Sequence, residues 1–167
     1  FTDSLSADYS AGTGQVFGEF AYAFKAGSVD LEPFANLAYV HLNRDGFVER
    51  GGAAALIGKD ASQDTTFTTL GLRAASSFDL GGVLATARGT IGWRHAFGDT
   101  LPLSSNGFST ASTFATAGVP IAENSAVIEA GLDFAVAPEA TLGLTYTGQF
   151  GGGVSDQSVK ANLSVKF

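Results

Sequence analysis

Val159-Lys160-Ala161-Asn162-Leu163-Ser164-Val165-Lys166-Phe167, the end of the chain, decides the fold class. Val159, Ala161, Leu163, Val165 and Phe167 are apolar, and every residue between them is polar. Successive side chains of a strand point to opposite faces, so a period of two puts one wholly apolar face against one wholly polar face. A helix would need apolar residues three and four apart, and those spacings are missing here. The segment reads as a β-strand.

The same period continues upstream. Leu142, Leu144, Tyr146 and Phe150 alternate with Thr141, Gly143, Thr145, Thr147 and Gln149. Ile128, Ala130, Leu132, Phe134 and Val136 alternate with Val127, Glu129, Gly131, Asp133 and Ala135. Ala137-Pro138-Glu139 joins these two as a tight turn, and Gly151-Gly152-Gly153 joins the last two strands. Residues 83–97 form another long strand, with Val83, Ala85, Ala87, Ile91, Trp93 and Phe97 on one face and Arg88 and Arg94 on the other. Its partner, residues 65–78, lies across the hairpin-type connection Asp79-Leu80-Gly81-Gly82. It directs Leu70 and Leu72 one way and Thr69, Gly71 and Arg73 the other, and Phe67 breaks its alternation. Residues 15–25 and 31–42 make the first pair. The pattern predicts seven long strands, with short joins alternating with longer connections at 44–63 and 98–125. Residues 1–12 read as an entering loop, and 108–118 have enough β-character for a hairpin of their own.

Composition narrows the class. Charged residues are 15% of the chain, against about 25% in ordinary globular proteins, although 45% is apolar. The net charge of −7, without a basic run, argues against a nucleic-acid partner. The absence of Cys excludes disulfides and thiolate chemistry. No stretch of 18 apolar residues offers a transmembrane helix. Strands of about 10–14 residues exceed the soluble average of about five or six and suit a tilted membrane strand of about 9–11. The expected fold is therefore all-β, an antiparallel transmembrane barrel whose apolar faces meet lipid and whose polar faces line a wet lumen. Glu19, Arg73, Arg88, Arg94, Glu129 and Asp133 are the expected lumen residues. Tyr22, Tyr39, Trp93, Phe97 and Phe150, near strand ends on the apolar faces, are the expected interfacial aromatics. An odd count of seven is unusual for a bacterial barrel. Either residues 1–12 supply an eighth strand or further strands lie upstream. The start of the chain, which lacks a signal peptide, favours upstream strands.

Phe17-Gly18-Glu19, Leu31-Glu32-Pro33-Phe34-Ala35, Leu37-Ala38-Tyr39-Val40, Leu70-Gly71-Leu72-Arg73 and Gly92-Trp93-Arg94-His95-Ala96-Phe97 follow in order. Gly118-Val119-Pro120-Ile121-Ala122, Glu129-Ala130-Gly131-Leu132-Asp133 and the closing strand complete the series. Together they resemble the C-terminal β-domain of classical autotransporters, the translocators of type V secretion, over nearly the whole chain. The resemblance implies a twelve-stranded barrel in the bacterial outer membrane, of which these residues would be the last seven strands. It implies that 98–125 is a long external loop, and that the domain anchors and translocates an N-terminal passenger. It also implies contact with outer-membrane lipid and with the barrel-assembly machinery, whose recognition signal Lys160, Val165 and Phe167 match. Asn162 stands where that signal usually has Gly.

Nothing in the sequence points to catalysis, a cofactor or a metal. His41 and His95 are the only histidines and are far apart, no Gly-x-Ser-x-Gly elbow occurs, and no helix follows the paired glycines. The competing readings are a small eight-stranded outer-membrane barrel and a soluble β-sandwich adhesin, the latter marked by solubility without detergent.

Overall fold

The computed structural model describes residues 4–108 and 112–166. Its strands are β1 (Ala11–Ala21), β2 (Phe24–Ala26), β3 (Val29–Arg44), β4 (Phe47–Val48), β5 (Leu56–Gly58) and β6 (Ala61–Leu80). They continue as β7 (Val83–Gly98), β8 (Leu103–Phe108), β9 (Thr113–Ala117), β10 (Asn124–Ala137), β11 (Ala140–Gly151) and β12 (Val154–Val165). One sheet runs β1-β3-β6-β7-β10-β11-β12, with β2 also on β3, and a smaller one runs β4-β5-β8-β9. The expected all-β fold and its seven long strands are therefore present, each long strand beside its neighbour in sequence.

The chain forms two compact units. One comprises Gly18–Leu37, Phe67–His95 and the chain from Ala122 onward. Here β7, β10, β11 and β12 are antiparallel, and apart from a shift between Ala135 and Ala137 beside the β10–β11 turn their register aligns the faces row by row. Ile91 stands opposite Ile128, Leu132 opposite Leu144, and Leu142 opposite Leu163. These apolar rows point outward: Ile91 is 62% exposed and Leu163 65%. Among the described residues the only buried hydrophobics are Ala85 and Ala96. A soluble sandwich would bury such rows under a second sheet; an apolar patch this large marks a surface meant for an apolar neighbour.

The first strand departs from expectation. The pattern predicts one strand over 15–25, but it divides into β1 and β2 at Tyr22 and Ala23. The cause is Pro33 on the adjoining β3, which has no N–H to give to the ladder. Its carbonyl still accepts from the Tyr22 N–H at 3.1 Å.

The other unit comprises the chain up to Phe17, Ala38–Thr66 and Ala96–Ile121. Strand segments run further here than the alternation alone suggests: β3 continues to Arg44 and β6 begins at Ala61. The small sheet occupies the connections expected to be loops. Its hairpin starts at Leu103, upstream of the 108–118 stretch expected to form one, and an isolated bridge ties Ser6 to Arg50. Asp99 ends β7. Its carboxylate accepts from the Asp64 N–H at 2.9 Å, and its carbonyl accepts from Gln63 Nε2 at 2.8 Å and Thr65 Oγ1 at 3.0 Å. The chain reaches that position through Gly98 at φ +88, where a Cβ would lie 2.5 Å from the Asp64 carbonyl oxygen. Gly98→Ala should therefore destabilise the folded chain by about 1–3 kcal/mol through strain at positive φ. Urea unfolding in lipid would measure it, and stability within about 0.5 kcal/mol of the parent would refute this account.

Candidate functional site: the charged polar face

Alternation places the charged residues of the Gly18–Leu37, Phe67–His95 and Ala122 onward unit on one face, and the register gathers them into clusters. Arg73, on β6, binds Glu19 of β1 through two parallel bonds of 2.8 Å and Glu32 of β3 at 2.6 Å. Its guanidinium lies 4.0 Å from the centre of the Phe34 ring. The Phe34 ring in turn covers Gly71, where a Cβ would meet ring carbons at 2.6 Å. A bare glycine thus accommodates an aromatic ring on the polar face, and the ring carries the cation. The planar fork of Arg suits this geometry and the bidentate carboxylate; Lys could not reproduce it.

Arg88, on β7, is opposite Gly131 of β10, and Gly131 is opposite Thr145 of β11. Its side chain crosses the gap left by Gly131. Nε donates to Asp133 at 2.8 Å, Nη1 to Glu129 at 3.3 Å and Nη2 to Thr145 Oγ1 at 3.0 Å. Arg94 has neutral partners instead: Thr69 Oγ1 at 3.3 Å and Gln149 Oε1 at 3.1 Å, with the Phe67 ring 6.0 Å away. Gln149 passes the contact on to Ser125 at 3.2 Å. The six charged residues singled out from sequence all take part in these networks. A concavity of about 430 Å³ lies between them, bordered by Glu19, Arg73, Arg94, Glu129, Gln149 and Asp156.

The aromatic residues are placed on the outward face. Trp93, opposite Ala126, donates from Nε1 to Asn124 at 3.1 Å, and Phe150 flanks Ala126 on its other side. Tyr22 stacks on Phe24 with centroids 6.2 Å apart. In the other unit, Tyr39 donates its hydroxyl to the Asp64 carboxylate, which also meets His41 Nδ1 at 2.8 Å, and Phe97 is half exposed. Amphipathic rings with a polar anchor are typical of membrane interfaces. Of the expected assembly signal, Lys160 pairs with Thr145 and Val165 with Ala140, while Phe167 lies outside the described residues.

Sequence reasoning missed Glu32, Phe34 and Asp64. Glu32 and Phe34 share the polar face of β3 with Asn36, a parity visible once the apolar face through Leu37 is assigned. Asp64 falls between the connection expected over 44–63 and the strand expected from 65, and the extension of β6 back to Ala61 brings it beside Tyr39.

A single-layer sheet with long apolar rows outward and satisfied charges on its other face defines a membrane-spanning β-domain. The family profile described as autotransporter beta-domain matches residues 1–147. Two Serratia marcescens proteins, each named extracellular serine protease, are 40% and 39% identical over 99% of this chain. The chain spans 16% of the length of each. It belongs to the autotransporter β-domain family, the passenger translocators of the Gram-negative outer membrane.

Proposed function

We propose that the charged polar face is the wall along which an attached passenger polypeptide crosses the outer membrane. The carrying observation is the set of three guanidiniums, Arg73, Arg88 and Arg94, held by carboxylates and neutral acceptors of neighbouring strands. Held this way, the charges need no lipid contact and leave a polar surface for an extended chain, whose own N–H and C=O groups require partners inside a membrane. Glu19, Glu129 and Asp133 complete this lumen surface. The apolar rows meet outer-membrane lipid, with Tyr22, Tyr39, Trp93, Phe97 and Phe150 at its boundaries. Lys160, Val165 and Phe167 present the closing strand to the barrel-assembly machinery. Residues 98–125 form an external connection, and residues 1–167 act as one functional β-domain.

In this reading the β-domain is not an enzyme. The protease activity named for the Serratia relatives belongs to the large part of their length outside the alignment, and what this chain's passenger does follows from that passenger alone.

The test uses the full reading frame in its host membrane. Arg88→Gln with Arg94→Gln should slow the appearance of protease-accessible passenger on intact cells severalfold, while the barrel still runs as a heat-modifiable folded species. Unchanged passenger exposure would leave these residues as mere solvation of the wall and refute the role given to them.

A further inference from the structure

The closing hairpin contains an ambiguity in pairing. In β11 the polar face reads Thr141, Gly143, Thr145, Thr147, and in β12 it reads Ser158, Lys160, Asn162, Ser164. Three of the four opposed pairs are a Thr facing a Ser or a Lys: Thr141 with Ser164, Thr145 with Lys160, Thr147 with Ser158. The outward pairs Leu142 with Leu163, Leu144 with Ala161 and Tyr146 with Val159 are apolar and interchangeable, and the register-dependent contact beside them is the hydrogen bond that the Tyr146 hydroxyl donates to Gln157 Oε1 at 3.1 Å. Sliding β12 by one residue would turn every side chain to the wrong face, but sliding by two would not. The connecting residues Gly152 and Gly153, at φ +54 and +80, can re-form as other turns, so a turn of glycines constrains the register weakly.

One pair differs. Asn162 is opposite Gly143, and Gly143 is opposite Asp133 of β10. The space a Cβ would fill at Gly143 is taken from both sides: it would lie 2.5 Å from Asn162 Oδ1 and 2.6 Å from Asp133 Oδ1. Asp133 is itself fixed by Arg88 at 2.8 Å. Asn162 therefore leans into a notch with one wall already in place. A two-residue slide would bring Asn162 opposite Thr141 or Thr145, where a branched side chain fills the corresponding space.

We infer that Asn162 and Gly143 form a key that selects the pairing register of the closing strand. The key acts through shape on the polar face and adds to the outward hydrogen bond from Tyr146 to Gln157. It couples the last strand to the Arg88 cluster across β10 and β11. It is independent of what the barrel carries.

Because the chain contains no Cys, paired cysteines report register directly. In the full-length protein assembled in its membrane, Thr147→Cys with Ser158→Cys reports the native pairing. Thr147→Cys with Lys160→Cys, or with Asp156→Cys, reports slides of two residues in either direction. With Asn162 present, only the native pair should form a disulfide. With Asn162→Gly, the slid pairs should cross-link at least tenfold more than in the parent. Gly143→Ala should also raise the slid pairs, and adding Asn162→Gly to it should not raise them further. Native cross-links alone in the Asn162→Gly protein would overturn the inference. So would failure of that variant to assemble, because losing a register key leaves the strand competent to pair.

Discussion

Leu132→Arg should lower the stability of the folded domain in a bilayer by about 2–4 kcal/mol, the cost of a guanidinium near the midplane on a lipid-facing strand. Leu132 sits in the middle of β10, between Ala87 and Leu144 in the outward rows, and is 39% exposed. In a water-soluble sheet, an Arg at an exposed position would cost less than about 0.5 kcal/mol. The sign and size of the effect therefore report what covers the apolar face. Thr147→Arg, one strand over on the polar face, should stay within about 1 kcal/mol of the parent. Urea titration of both variants in lipid vesicles would separate the two faces. Equal costs for both substitutions would show that lipid does not cover the Leu132 rows.

Gly131→Val should cost about 2–4 kcal/mol for a different reason. A Cβ at 131 would lie 2.8 Å from Arg88 Nε and 2.9 Å from its Cγ. Arg88 would have to leave the gap, and its bonds to Asp133, Glu129 and Thr145 would go with it. Overpacking costs about 1–3 kcal/mol, and leaving Glu129 and Asp133 without their shared cation adds to it, although their partial exposure tempers that term. Gly131→Val combined with Arg88→Ala should be less destabilised than the sum of the two single variants, because the collision disappears with the side chain. Additivity of the two effects would rule out the steric explanation.

The alternation makes β7 and β10 to β12 legible in the sequence because their ladder is regular until the shift between Ala135 and Ala137 at the β10–β11 turn. It also assigns Arg88, Arg94, Glu129 and Asp133 to the polar faces of their strands. Pairing across strands is a different matter. Whether Arg88 meets Glu129, Asp133 or both depends on register, and register depends on features such as Gly131 that carry no side chain to read. Glu32 is hard to single out because Leu31, Ala35, Leu37 and Tyr39 carry the clear signal of β3 on the opposite, apolar face. The split at Tyr22 follows from a proline on a different strand, a nonlocal effect that a reading of one strand cannot supply. Asn162 departs from the pattern of the assembly signal, and its place opposite Gly143 supplies a physical reason for it.

In the proposed function the alternating faces of these strands separate lipid from a wet interior. Single cysteines at Ile128, Leu144 and Tyr146, and at Glu129, Thr145 and Thr147, can be challenged with a water-soluble maleimide in outer membranes carrying the full-length protein. Cysteines at Glu129, Thr145 and Thr147 should be labelled, and those at Ile128, Leu144 and Tyr146 protected. Equal labelling of both sets, or protection of the polar set alone, would contradict that separation.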